Sequence, residues 1–136
     1  MSETSLSLDE IYALAHDAMT ANGCNDANAG ALADSVIRAE RDGSHSHGLF
    51  RVPGYVKALR SGKVDGKAKP TVKHVTPAVI RIDGNGCFAP LAQAVGLPLL
   101  ADATGKIGIA ALSLVGIHHF AALWPETEYL ADRGFV

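Results

Sequence analysis

The sequence has few cysteines and no marked excess of charge of one sign. Its 136 residues include only Cys24 and Cys87, too few for a disulfide scaffold and consistent with a reducing compartment. Twelve Lys and Arg residues against 14 Asp and Glu residues give a formal charge of −2 without a basic cluster, which argues against a nucleic-acid-binding module. No apolar run reaches the ~18 residues of a membrane span, and the polar, acidic start differs from a signal peptide. We therefore expect a cytoplasmic protein that binds neither nucleic acid nor membrane.

What the sequence does have is ample apolar content, 48% of its residues, arranged at helical spacing in residues 1–70. Ser7 and Glu10 predict the capping box of a first helix. Its apolar face would contain Leu8, Ile11, Leu14, Ala15, Ala18 and Met19. A second helix is predicted from residue 25 or 26 to residues 42–43, and a third over residues 49–61. We expect residues 1–70 to form a helical region.

Residues 71–136 predict alternating strands and helices. Two strands are expected at 71–75 and 78–83, followed by a helix over 88–104 that Pro98 kinks or splits. The apolar run 107–115 predicts a buried strand and 121–132 a helix, and residues 134–136 look like the start of another strand. Helices followed by mixed strands and helices indicate an α/β or α+β fold, with a second region at 71–136.

Two histidines share the short polar loop at residues 43–48. His45 and His47 flank Ser46, and three interpretations of them remain open. The side chains could simply satisfy the loop backbone. They could bind a metal, although a catalytic zinc needs about three protein ligands and neither cysteine is near in sequence. One of them could be a general acid, because imidazole titrates near physiological pH and a neighbouring hydroxyl can orient its ring.

Arg51 and a second pair of histidines are further candidates. Arg51 follows His47 by four residues and is either a bidentate ligand for a substrate carboxylate or an ordinary helix-surface charge. His118 and His119 lie where a predicted strand passes into a predicted helix, which is either a phosphate site at a helix N-terminus or a plain connection. The sequence has neither a Gly-x-Gly-x-x-Gly fingerprint nor a Walker loop.

These segments resemble the type-2 malate/L-lactate dehydrogenase family, which is unrelated to the Rossmann-fold lactate dehydrogenases. The resemblance rests on the run Arg41-Asp42-Gly43-Ser44-His45-Ser46-His47-Gly48 with Arg51, on residues 62–70, and on His118-His119-Phe120-Ala121-Ala122-Leu123-Trp124-Pro125. It covers nearly the whole chain. Trp124-Pro125 after the His-Phe pair is most similar to the imine-reducing members of the family.

The resemblance implies NADPH-dependent reduction of cyclic ketimines that carry a carboxylate, with NADH as a possible substitute. Δ1-piperideine-2-carboxylate would give L-pipecolate, and Δ1-pyrroline-2-carboxylate would give L-proline. In the family pattern His47 is the proton donor, Ser46 belongs to its charge relay, and Arg51 contacts the substrate carboxylate. His119, Phe120, Ala121, Ala122 and Leu123 would line the NADP site, and no metal is implied. The implied fold is the family's own non-Rossmann NADP-binding domain beside a helical region, in a homodimer.

Two alternatives stand beside this expectation. One is an L-2-hydroxyacid dehydrogenase of the malate or lactate type that uses the same His47 and Arg51. The other is a non-catalytic metal- or ligand-binding module built on His45, His47 and His118. Because family members are much longer, the resemblance also implies that this chain is the N-terminal part. We expect a separate C-terminal polypeptide, cleaved after Val136 and held non-covalently, to supply a relay aspartate and most of the cofactor site.

Overall fold

The computed structural model describes residues 4–136, which form a helical region followed by a small sheet with helices. The helices are α1 (Leu8–Thr20), α2 (Asp26–Arg41), α3 (Val52–Arg60), α4 (Ala89–Ile107) and α5 (Pro125–Ala131). The strands are β1 (Thr71–Thr76), β2 (Val79–Asp83) and β3 (Ala111–Val115). Two 3-10 turns, His45–His47 and Leu49–Arg51, join α2 to α3. The predicted mixture and order of helices and strands are confirmed.

Helix α1 begins where the sequence predicts. The Ser7 hydroxyl accepts the N–H of Glu10 at 3.2 Å, and the Glu10 carboxylate accepts the N–H of Ser7 at 2.7 Å. Two of the four N–H groups left free at a helix start are thereby satisfied. The expected burial of Leu8 and Leu14 is wrong, because both are exposed. The helix meets its neighbours through one narrow stripe, whose buried members are Ile11, Ala15 and Met19.

Helices α2 and α3 complete the helical region. The side chain of Asn25 caps α2 by accepting the N–H of Asn28 at 2.9 Å. Pro53 lies in the first turn of α3, where its missing N–H costs no hydrogen bond. One buried cluster joins the three helices and also includes Phe88 from the segment before α4. The polar loop at residues 43–48 is therefore anchored on both sides by packed helices.

The sheet contains one antiparallel and one parallel pair. Strand β1 runs antiparallel to β2, and β2 runs parallel to β3, with α4 as the crossover between them. Helix α4 lies close to the sheet at Gly96, where an added Cβ would be 2.8 Å from the side chain of Leu112. A second buried cluster, which includes Ile80, Ile82 and Ala92, forms between the helix and the strands.

Pro98 does not split α4. The helix continues through it to Ile107, three residues beyond the predicted end, and Gly108 ends it at a φ of 93°. Pro98 removes the hydrogen bond to the carbonyl of Ala94. Both residues are exposed, so water can satisfy that carbonyl. The buried positions before and after Pro98 keep the helix on the sheet.

The last quarter of the chain departs most from expectation. Strand β3 is shorter than predicted and alternates between exposed and half-buried residues, because only its β2 side is paired among residues 4–136. Helix α5 begins at Pro125 instead of residue 121, since His119 and Ala121 have φ values of 50° and 60° that no α-helix accommodates. Residues 134–136 form no strand in the described chain.

Two further expectations concern domains and membranes. The helical cluster takes Phe88 from beyond residue 70, and the sheet cluster takes Ala68 from before it. The division into regions 1–70 and 71–136 stays a prediction. Within residues 4–136, no helix is both long and apolar enough to cross a bilayer.

Candidate active site

The first 3-10 turn places Ser46 and His47 side by side. The Nδ1 atom of His47 lies 3.0 Å from the Ser46 hydroxyl and 3.4 Å from the Ser44 hydroxyl. A serine oxygen can donate to Nδ1 of the neutral ring or accept the Nδ1 proton of the imidazolium, and in both cases Nε2 carries a proton. The backbone N–H of His47 donates to the carbonyl of Ser44 at 2.8 Å, which closes the turn. The arrangement can orient an imidazole that donates a proton from Nε2.

Arg51 is attached to the same turn. Its Nε donates to the backbone carbonyl of Ser46 at 2.8 Å. Among residues 4–136, its two terminal nitrogens make no hydrogen bond. A guanidinium held by Nε, with both terminal nitrogens available, presents two parallel donors to a carboxylate. Arg51 therefore lies beside Ser46 and His47 and can hold an anionic group there.

His119 lies on the second predicted segment. His118 forms a bridge with Phe88, in which its N–H donates to the carbonyl of Cys87 and its carbonyl accepts the N–H of Ala89, both at 2.9 Å. The next residue, His119, accepts the N–H of Ala121 on its Nδ1 at 3.0 Å. That contact places the proton of the neutral ring on Nε2. His119 is thus a second imidazole with its Nε2–H available.

Partial burial lowers the pKa of His119, and repulsion from Arg51, and from His118 and His47 whenever these carry a proton, lowers it further. His119 is therefore neutral at physiological pH. The two predicted segments converge in space, because the ring of Trp124 in the second segment meets the ring of His47, with centroids 6.4 Å apart. The structure thus brings His47, Arg51 and His119 into one site.

The ring of Tyr55 packs against His119 of this site. It meets the rings of His119 and Phe88 edge to face, with centroids 5.4 Å and 5.5 Å away. Burial raises the pKa of Tyr55 to about 12. Its buried hydroxyl has no hydrogen-bond partner among residues 4–136. Sequence motifs alone do not predict this contact with His119, although Tyr55 follows Arg51 by four residues and so lies on the same helical face.

Trp124 joins the two segments. Its indole N–H donates to the Asp42 carboxylate at 2.9 Å, and its ring lies edge-on to His47 with centroids 6.4 Å apart. Arg41 binds the same carboxylate through two nitrogens at 2.7 Å and 2.9 Å. Hydrogen bonds from Arg41, and then from Trp124, lower the pKa of Asp42. Asp42 stays ionised and holds the end of the 118–124 segment against the loop that carries His47.

One predicted interpretation changes at this site. The phosphate site expected at a helix N-terminus is not formed there, because residues 119–123 are an irregular turn and α5 starts only at Pro125. In the part of the chain that the structure describes, no three His, Cys, Asp or Glu side chains are placed to hold a metal ion.

Three large apolar side chains close in sequence to Arg51 or His119 are exposed. Phe50, Phe120 and Leu123 are exposed, Leu123 to 68%. A cavity of about 260 Å³ lies nearby between α2, α4 and α5, with Ala122, Gln93 and Glu126 among its lining residues. Neither His47, Arg51 nor His119 lines it. His47, Arg51 and His119 are each half-buried, and they lie outside this cavity.

Comparison with known proteins identifies the class to which this arrangement belongs. Residues 6–136 match the sequence profile of the Malate/L-lactate dehydrogenase family. The chain belongs to this family. The expectation drawn from the Ser-His-Gly loop and the His-Phe pair is confirmed at the family level.

Two relatives with more than 40% identity are named as reductases of Delta(1)-pyrroline-2-carboxylate. A Delta(1)-pyrroline-2-carboxylate reductase of Pseudomonas fluorescens is 42% identical over 131 residues, which are 96% of this chain and 39% of that protein. A Delta(1)-pyrroline-2-carboxylate/Delta(1)-piperideine-2-carboxylate reductase of Pseudomonas syringae pv. tomato is 50% identical over 105 residues, which are 77% of this chain and 31% of that protein.

Solved structures agree on the fold. The crystal structure of delta1-piperideine-2-carboxylate reductase from Pseudomonas syringae matches with a TM-score of 0.93 and 42% identity, over 97% of this chain and 40% of that one. Malate dehydrogenase from Entamoeba histolytica matches with a TM-score of 0.89 over 98% of this chain and 37% of that one. Its 22% identity shows the fold alone. The chain spans about two fifths of the length of the reductases it matches.

Proposed function

We propose that the complete enzyme reduces the C=N bond of cyclic ketimines that carry a carboxylate, with NADPH as the cofactor. Δ1-pyrroline-2-carboxylate would give L-proline, and Δ1-piperideine-2-carboxylate would give L-pipecolate. The observation that carries the proposal is that Ser46 joins a proton donor and an anion ligand: its hydroxyl contacts His47, and its carbonyl accepts from Arg51. The names of relatives 42–50% identical to this chain support the choice of substrate.

Each residue of the site has a part in this proposal. Arg51 binds the substrate carboxylate through its two terminal nitrogens, which places the adjacent imine carbon and nitrogen near His47. A hydride adds to the imine carbon, and the imidazolium form of His47 gives its Nε2 proton to the imine nitrogen, so that C=N becomes CH–NH. His47 is left as a neutral ring whose remaining proton, on Nδ1, faces the Ser46 hydroxyl. The Ser46 hydroxyl keeps the His47 ring in the donating orientation.

The residues of the second segment fit a nicotinamide ring. Exposed Phe120 and Leu123 offer apolar surface beside His119, whose Nε2–H is a neutral hydrogen-bond donor. When bound, the reduced nicotinamide supplies the hydride. We propose His119, Phe120, Ala121, Ala122 and Leu123 as cofactor-binding residues. The phosphate groups of the cofactor would need ligands other than a helix N-terminus at this segment.

The complete enzyme consists of this chain together with a C-terminal portion equivalent to the rest of its relatives. We propose that activity requires both. Exposed Phe50, Phe120 and Leu123, each within four residues of Arg51 or His119 in sequence, support this requirement, because exposed apolar surface near a site often contacts another surface. A homodimeric assembly and a cytoplasmic location remain predictions.

The decisive assay follows the oxidation of NADPH and of NADH by the complete enzyme with four substrates: the two cyclic imines, pyruvate and oxaloacetate. We expect turnover of the imines with NADPH and little turnover of the oxoacids. Faster reduction of pyruvate or oxaloacetate would favour the hydroxyacid dehydrogenase alternative, and no imine turnover would refute the proposal. The 136-residue chain assayed alone should be inactive.

A further inference from the structure

Glu40 lies where the chain leaves α2, one turn before the loop that carries Ser46 and His47. In the sequence it resembles an ordinary surface charge in the last turn of a helix. In the structure its side chain is only 14% exposed. A carboxylate withdrawn from water to this degree requires partners that satisfy it.

Both oxygens of Glu40 are engaged, and they hold opposite ends of the same short segment. Oε2 pairs with Nδ1 of His45 at 2.5 Å, at the start of the first 3-10 turn. Oε1 accepts the backbone N–H of Leu49 at 2.7 Å, at the start of the second. One carboxylate therefore spans the segment on which Ser46 and His47 are mounted.

Gly48 provides the space for this contact. An added Cβ at position 48 would overlap the Glu40 carboxylate, so only glycine permits the chain to pass this close. The φ of Gly48 is −88°, so the need for glycine arises from close approach. The glycine of the Ser-His-Gly motif thus acts together with Glu40.

We propose that Glu40 is a positioning residue that holds the 45–49 segment so that the His47 ring stays in its donating orientation. The inference rests on the proposed function, in which His47 is the proton donor. Glu40 contacts neither His47 nor Arg51 in the described chain and acts through the backbone between its two partners. A displacement of about 1 Å at a reacting group can lower the rate by about 100-fold, so a small shift of this segment would be measurable.

The variants separate the two contacts. Glu40→Ala removes both of them, whereas Glu40→Gln keeps an oxygen that can accept the Leu49 N–H and loses the charge that faces His45. Gly48→Ala displaces the Glu40 carboxylate without altering Glu40 itself. Asp34→Asn is the matched control, because it removes a carboxylate from the same helix at an exposed position.

The first measurement is made on the 136-residue chain and does not depend on activity. We expect the Leu49 amide to exchange with solvent about tenfold faster in Glu40→Ala and Gly48→Ala, relative to the amides of α2, and to stay near the wild-type rate in Glu40→Gln and Asp34→Asn. The ¹⁵N resonances of the His47 ring should shift in the same two variants. Unchanged Leu49 exchange in Glu40→Ala would overturn the proposal.

The second measurement uses the complete enzyme. Glu40→Ala should lower kcat per folded active site by about 10- to 100-fold, with little change in KM for the imine. Glu40→Gln should keep most of the wild-type kcat. A purely structural role would lower the thermal midpoint and leave kcat per active site equal to that of Asp34→Asn, which would also overturn the proposal. If the wild-type enzyme reduces no imine, the proposed function fails. Leu49 exchange and the His47 resonances still decide whether Glu40 positions the segment.

Discussion

Phe88 should contribute more to stability than any other single aromatic side chain of this fold. It is fully buried in the helical cluster, although it belongs to the segment that leads from β2 into α4. Its ring meets Tyr55 and His118 edge to face, with centroids 5.5 Å and 6.0 Å away. Each such pair contributes about 0.5–1.5 kcal/mol beyond its buried area. Phe88→Leu loses both ring pairs and keeps much of the side-chain volume. It should therefore lower the free energy of unfolding by about 1–3 kcal/mol.

Urea unfolding of the 136-residue chain, followed by circular dichroism, measures this loss. With a slope of about 1–3 kcal/mol per molar urea, the midpoint should fall by about 1 M. Phe88→Ala should cost about 3–5 kcal/mol, because it also leaves a cavity. The matched control is Phe50→Leu, the same change at a residue that is 76% exposed, with an expected effect within about 0.5 kcal/mol. Equal midpoints for Phe88→Leu and Phe50→Leu would refute the reasoning.

Three further predictions concern the site. His47→Ala should lower kcat of the complete enzyme by about 10²–10⁴-fold, and unchanged turnover would move the proton-donor role to another residue. Arg51→Lys should raise KM for the imine because the bidentate fork is lost, whereas Arg81→Lys at an exposed position of β2 should not. Tyr55→Phe removes a buried hydroxyl without a partner in residues 4–136 and should raise the free energy of unfolding by about 1 kcal/mol. Because the folded pKa of Tyr55 is raised from 10.0 to about 12, wild-type stability should fall as pH rises through this interval, and the Phe variant should lack that loss.

The candidate site is built from two segments of the chain. The proposed proton donor and the proposed anion ligand lie on one continuous stretch, from Ser46 to Arg51, so their relative position depends mainly on local hydrogen bonds. The second imidazole, His119, comes from a distant segment that the Asp42–Trp124 hydrogen bond holds in place. Asp42→Asn should weaken this connection, since the amide is a poorer acceptor for the indole N–H and for Arg41.

Elements with a local signal could be predicted from the sequence. The capping box at Ser7 and Glu10 predicts the start of α1, and Asn25 that of α2, because helix ends depend on hydrogen bonds within one turn. The Ser46-His47-Gly48 run with Arg51 is also local, and it carries the resemblance that predicted both the family and a site at these residues. Burial is less predictable. Leu8 and Leu14 belong to the predicted apolar face of α1 but are exposed, since helical periodicity does not tell which part of an apolar face meets a neighbour.

Only the tertiary structure decided the rest, because the deciding contacts join residues far apart in the chain. Pro98 stays inside α4 because the flanking turns pack on the sheet and the freed carbonyl faces water. The turn at residues 119–124 replaces the start of the helix predicted over 121–132, because His118 pairs with Phe88 and Trp124 reaches Asp42. Glu40 looks like any surface charge until the fold brings His45, Leu49 and the bare backbone of Gly48 around its carboxylate. The sequence by itself determined which residues can do chemistry here, and burial and distance decided which of them meet.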